Sequence, residues 1–229
     1  LNGRSEDRLS AAVLKIKNEF PEADVSGVAA DLGTLKGAES LFKEVANVDI
    51  LVNNLGIFEP RPFFEITDSD WQKFFDVNVM SGVRMARRFT PGMVERKWGR
   101  VIFIASESAI QIPVEMVHYG MTKTAQLAVS RGLAATVAGT GVTVNTVLPG
   151  PTWSEGVEVF VQGMVSDPGK DFQSIEKEFF ETARPGSLIN RFATPEEIAN
   201  LVTYVASPLS SATTGAALRA DGGVANFIL

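Results

Sequence analysis

The sequence has no cysteine and a single histidine among its 229 residues. Without thiols there is no disulfide, thiolate nucleophile, Cys-ligated zinc or iron–sulfur cluster, and one histidine leaves no His-rich metal site. Positive charge is also in short supply, with 21 Lys and Arg against 27 Asp and Glu and a net charge of −6. No basic field exists to draw in a phosphate backbone, so DNA and RNA are not expected as partners. No apolar run reaches the length of a bilayer span, and the first residues lack the basic-then-apolar order of a secretion signal. What is present is ordinary for a globular chain: 45% hydrophobic and 21% charged residues, with enough length to bury a substantial core. A soluble, intracellular and therefore cytoplasmic protein is expected, with no metal and no membrane partner.

Along the chain, segments of helical and of strand character alternate. Leu9, Ala12, Val13 and Ile16 form one stripe of a helix from Ser5 to Asn18, which Pro21 closes. Val25–Ala30 is a short apolar run, helical period returns at Leu35–Ala46, and Val48–Val52 has the character of a buried strand. Thr67, three residues before Asp70, starts a long helix through Trp71, Phe74 and Val79. Val101–Ala105 is too short and too apolar for a surface helix and is expected to be a strand buried on both faces. A helix follows from about Val117 to Ala138. The β-branched run Val142–Leu148 predicts another strand, ended by Pro149-Gly150. Thr194-Pro195-Glu196-Glu197 is a helix start, and Ala216–Ala220 before Asp221-Gly222-Gly223 is a last strand and turn. The alternation predicts a single doubly wound, Rossmann-like α/β domain over residues 1–229, with a parallel sheet between helices. Residues 151–190 break the rhythm with aromatic and acidic residues and with breakers at Pro168-Gly169 and Pro185-Gly186, and are expected to form a lid over the ligand crevice.

Candidate chemistry gathers at the predicted C-terminal strand ends. Tyr119 and Lys123 are four residues apart, so on a helix they share one face. An ammonium beside a phenol favours the phenolate, although a Tyr-x-x-x-Lys pair alone is a common helix-face pattern. Context adds weight: Ser106 directly follows the buried strand Val101–Ala105, where its hydroxyl can donate to a substrate oxygen while a tyrosine moves the proton. Ser108 competes for that role. Asn53-Asn54-Leu55-Gly56 occupies the equivalent edge of the preceding strand, its glycine allowing close approach of a ligand to the backbone. Asn78 sits inside a predicted helix, where asparagine is unfavourable unless its amide has a local task. His118 points about 100° away from Tyr119 around the helix and is expected at a pocket edge or interface. Ile110, Pro113, Glu115 and Met116, in the loop ahead of Tyr119, are candidate pocket-lining residues.

Asn53-Asn54-Leu55-Gly56, Asn78, Ser106, Tyr119-Gly-Met-Thr-Lys123, Pro149-Gly150 and Asp221-Gly222-Gly223 together resemble the ordered signature of the classical short-chain dehydrogenase/reductase family, over almost the whole chain. The resemblance implies an enzyme interconverting a secondary alcohol and a ketone by hydride transfer. In it Tyr119 is the general acid/base, Lys123 lowers the tyrosine pKa and holds the nicotinamide ribose, Ser106 polarises the carbonyl, and Asn78 anchors a relay water. It further implies cofactor contacts from Asn53 and Gly56, from Asp31 and Leu32 at the adenine, and from Pro149, Gly150, Thr152 and Ser154 at the carboxamide. Arg4 follows Gly3, which stands where NAD-preferring members carry an acid; a guanidinium suits a 2′-phosphate, so NADP(H) is favoured over NAD(H). Resemblance to 3-oxoacyl-carrier-protein reductases implies carbonyl reduction and a homotetramer. Three departures stand out. The family's first strand and glycine-rich turn are not in the chain and are expected ahead of Leu1, and Leu55 replaces the usual alanine, with Trp153 a bulky addition to the nicotinamide loop. A non-catalytic nucleotide sensor or interaction protein is the alternative suggested by the missing turn, and the complete Ser106, Tyr119, Lys123 and Asn78 set argues against it.

Overall fold

The computed structural model describes residues 1–163 and 171–228. Its strands are β1 (Asn2–Gly3), β2 (Val28–Ala29), β3 (Ile50–Asn53), β4 (Gly99–Ile104), β5 (Val142–Pro149) and β6 (Ala217–Ala220). All pair in parallel, as β1-β2 and as a four-stranded sheet in the order β3-β4-β5-β6. The helices are α1 (Glu6–Glu19), α2 (Leu35–Glu44), α3 (Asp68–Phe75), α4 (Ser81–Glu95), α5 (Val117–Thr136), α6 (Glu155–Gln162), α7 (Phe172–Thr182) and α8 (Pro195–Ala206). The strand–helix alternation is that of a Rossmann-like α/β domain. Its parallel strands form two groups, and among the described residues no strand pairs with both.

Two faces of β4 carry the core. Because successive strand residues point to opposite sides, Val101 and Phe103 join Met85, Phe89 and Met93 of α4, Val144 of β5 and Ala38 and Leu41 of α2 on one face. Ile102 and Ile104 meet Val147 and, from α8, Ile198, Leu201 and Val205 on the other. Each fully buried aliphatic or aromatic side chain contributes roughly 1.5–3 kcal/mol relative to exposure. Both faces being covered explains why Val101–Ala105 reads as a continuous apolar run.

Helix starts follow the expected chemistry. Thr67 and Asp70 form a reciprocal capping box on α3, and Thr194 and Glu197 form one on α8 with Pro195 in the first turn. The long helix expected from Thr67 is interrupted by a wider π-type turn at Asp76–Met80 before α4 continues. Turns of this kind collect at functional positions, and this one contains Asn78. In the 151–190 segment, α6 and α7 pack around Val161, Ile175, Phe179, Phe180 and Phe192. The breaker Pro168-Gly169 lies outside the described residues. Trp153 packs edge-on against Phe172 and tilted against Phe192, at centroid distances of 4.7 and 5.0 Å. Among the described residues no helix is long and apolar enough to cross a membrane, and no group of His, Asp or Glu could hold a metal ion.

Candidate active site

Ser106 caps the short turn that follows β4, and its Oγ accepts the Ser108 N–H at 3.1 Å. Tyr119 lies in the first turn of α5 with Lys123 one turn on. The spacing of four puts the Lys123 ammonium 5.6 Å from the Tyr119 ring centroid. Lys123 is buried and donates to the Ile104 carbonyl at 2.9 Å, so β4 and α5 are tied at the site. Ser106, Tyr119 and Lys123 line one cavity of about 270 Å³, together with Gly56, Pro149, Gly150, Thr152 and Ser154. Its apolar wall comes from Phe58, Met116, Val157, Phe160 and Phe179. Of the loop residues before α5 considered as pocket lining, Met116 reaches this cavity and Ile110, Pro113 and Glu115 do not.

The electrostatics depart from the sequence expectation. Burial, reinforced by the negative charge of Glu107, pushes the Tyr119 phenol above its ordinary value, against the opposing effects of a Ser106 hydrogen bond and Arg184. The spacing argument predicted a lowered value from Lys123, but desolvation and a carboxylate beside Ser106 dominate here. Burial pushes Lys123 down to about 8, with Glu107 partly opposing. At pH 7 the phenol therefore carries its proton and Lys123 remains mostly charged.

Asn78 is completely buried, and its amide is used by the protein itself. Oδ1 accepts from Ile57 N at 2.8 Å, and Nδ2 donates to Ile57 O and Thr122 Oγ1, both at 2.9 Å. The side chain thus clamps the loop after Gly56 to α5. A Cβ on Gly56 would sit 3.3 Å from Lys123 Nζ and 3.7 Å from Asn78 Oδ1, so glycine keeps that approach open. At Gly150 an added Cβ would fall 2.5 Å from the Asp221 carbonyl, so the Pro149-Gly150 turn packs directly on the closing Asp221-Gly222-Gly223 segment. His118 does not line the cavity; its ring lies tilted against Phe74, with centroids 4.0 Å apart.

A second, larger concavity of about 680 Å³ runs between β1 and β3 and is lined by Arg4, Leu32, Asn53 and Leu55. Asn54 borders both spaces. Asn53 Nδ2 and Gln126 Oε1, both at the groove, are buried without a hydrogen-bond partner. Most of the lining is apolar, including Leu41, Val45, Val48, Met85 and Phe89, and the exposed Arg4 stands beside it. Asp31 lines neither space; its carboxylate accepts the Gly33 N–H at 3.1 Å. Leu55 packs on the core of α2 and α4 while bordering the groove. Glu107 and Arg184 line the cavity that holds Ser106, Tyr119 and Lys123 and were not singled out from the sequence. The available signal for Glu107 was a charged residue beside Ser106 at the end of an apolar strand.

Residues 1–225 match the family model described as enoyl-(acyl carrier protein) reductase. The chain is 50% identical over 228 residues to the uncharacterized oxidoreductase YvaG of Bacillus subtilis (strain 168), covering 100% of this chain and 86% of that protein. It is 28% identical to the 3-oxoacyl-[acyl-carrier-protein] reductase FabG of Aquifex aeolicus (strain VF5), covering 98% of this chain and 86% of the relative. The structure of L-sorbose reductase from Gluconobacter frateurii complexed with NADPH and L-sorbose superposes with a TM-score of 0.91 at 31% identity, covering 100% of this chain and 87% of that one. The ordered motifs, the parallel α/β architecture and these likenesses agree: the chain belongs to the short-chain dehydrogenase/reductase superfamily of NAD(P)-dependent oxidoreductases.

Proposed function

We propose that this chain is an NADP(H)-dependent reductase of small, partly apolar ketones, with Tyr119 as the proton donor, Ser106 orienting the substrate oxygen and Lys123 supplying positive charge beneath them. The observation that carries the reading is the convergence of Ser106, Tyr119 and Lys123 on one cavity whose opposite wall is aromatic and aliphatic. The bound nicotinamide supplies the hydride in this chemistry. The chain's own part is to bind, orient and protonate. A phenol that keeps its proton at neutral pH can give it to an alkoxide-like oxygen as the hydride arrives. Arg4, Asn53 and Gly56 are assigned to the cofactor's adenosine side, with Leu32 beside them. Pro149, Gly150, Thr152 and Ser154 border the catalytic cavity and are assigned to the nicotinamide side. Asp31 is assigned to the adenine edge through the turn it stabilises. Asn78 serves by fixing the Gly56–Ile57 loop against α5.

One relative is named a 3-oxoacyl-[acyl-carrier-protein] reductase and one similar structure an L-sorbose reductase, and the apolar wall supports the first kind of substrate for this chain. Residues 151–190 act as the lid in this reading, since Val157, Phe160 and Phe179 from α6 and α7 supply part of that wall. A homotetramer is proposed from the family resemblance, with mass photometry as its check. The activity test mixes the protein with NADPH and a panel including ethyl acetoacetate, acetoacetyl-CoA and L-sorbose while following nicotinamide absorbance. Substrate-dependent loss of absorbance is expected; NADPH binding without consumption across the panel would remove the reductase reading.

A further inference from the structure

Next to the proton-transfer groups lies a set of charges that the proposed chemistry does not use. Ser106 Oγ donates to the carboxylate of Glu107, the following residue. That carboxylate is buried, with 7% side-chain exposure, and its Oε1 lies 3.4 Å from Arg184 Nε. Arg184 is also 10% exposed and reaches Glu115 Oε1 at 3.0 Å. The three come from separate places: Glu107 from the turn after β4, Glu115 from the loop before α5, and Arg184 from just beyond α7. Glu107 and Arg184 face the catalytic cavity.

We propose that Glu107 is a positioning residue of the active site, which fixes the Ser106 hydroxyl and is itself fixed by Arg184, so that the seating of α7 is coupled to the geometry of proton transfer. This rests on the reductase reading for its chemistry. A serine hydroxyl has one proton to give and two lone pairs. With the proton directed to Glu107 and one lone pair taken by Ser108 N–H, the side chain is held in one rotamer before substrate arrives, and to donate to a substrate oxygen the hydroxyl has only to turn its proton away from Glu107. A buried carboxylate needs a counter-charge, and Arg184 supplies it. The charged groups facing Tyr119 are Lys123 on its own helix, Glu107 after β4, and Arg184 beyond α7, with Glu115 behind Arg184. Of these, Glu107 opposes formation of the phenolate.

The test uses two substitutions with opposite chemistry. Glu107→Gln removes the charge and keeps an acceptor, while Glu107→Asp keeps the charge and shortens its reach. The chain has two tyrosines, Tyr119 and the half-exposed Tyr204 on α8, so a Tyr204→Phe background isolates Tyr119 in an ultraviolet titration of the phenolate band. Circular dichroism defines the pH range in which the chain is folded. In that background Glu107→Gln is expected to bring phenolate onset down by about one pH unit, and Glu107→Asp to leave it near the reference. With NADPH and ethyl acetoacetate, Glu107→Asp is expected to lower kcat roughly tenfold with little change in KM. An onset unmoved by Glu107→Gln, or moved equally by both substitutions, overturns the proposal. The titration needs no turnover, so failure of the reductase reading would show as an inactive native protein with the Tyr119–Glu107 coupling intact.

Discussion

Replacing Lys123 by Met should give a stability difference that depends on pH in a defined direction. Burial lowers the Lys123 pKa from an ordinary 10.5 to about 8. At 1.36 kcal/mol per unit, the charged form is penalised in the folded protein by about 3 kcal/mol. Below pH 8 both folded and unfolded chains carry the proton and the native protein bears the whole penalty. Between about 8 and 10.5 the unfolded chain binds more protons, so native stability rises with pH, and above 10.5 the penalty is gone. Lys123→Met has no such group. The loss of its hydrogen bond to Ile104 costs a fixed amount at every pH. The unfolding free energy of the variant minus that of the native chain should therefore fall by about 3 kcal/mol between pH 7 and pH 11. Urea denaturation of both proteins at several pH values measures this, with other titrating groups cancelling in the difference. A difference that stays constant, or that grows with pH, would refute the claim that a charged lysine is held desolvated at this site.

Other outcomes follow from the same geometry. Arg4→Ala should raise the Kd for NADPH about tenfold and leave that for NADH nearly unchanged, as read by nicotinamide fluorescence. Asn78→Ala removes the two-ended clamp on Ile57 and the bond to Thr122, and should cost at least ~2 kcal/mol in denaturant unfolding while weakening cofactor binding.

Much of the architecture could be read directly from local chemistry. The helix caps at Thr67 and Thr194 depend on residues three positions away, and the buried strand at Val101 on apolar character that both sheet faces demand. The approach of Ser106 to Tyr119 and Lys123 was legible because strand ends and a helical spacing of four place them together. The π-type turn at Asp76–Met80 was not, since nothing in its composition marks it. It holds Asn78 turned inward toward partners 21 and 44 residues away. The sign of the Tyr119 shift was missed for a related reason: Lys123 was weighed as an isolated neighbour, whereas burial and Glu107 decide the outcome. Arg184 lies 77 residues from Glu107 and becomes its partner through the way α7 packs.

The central claim is that Tyr119 delivers the proton, and Tyr119→Phe tests it most directly. The substitution removes one oxygen and keeps the ring against Phe58. NADPH affinity should stay within about threefold of native, while turnover of the ketone reduced by the native protein should fall by roughly 10²–10⁴, the range general acid catalysis supplies. A variant that binds NADPH normally and retains most of its turnover would contradict the account.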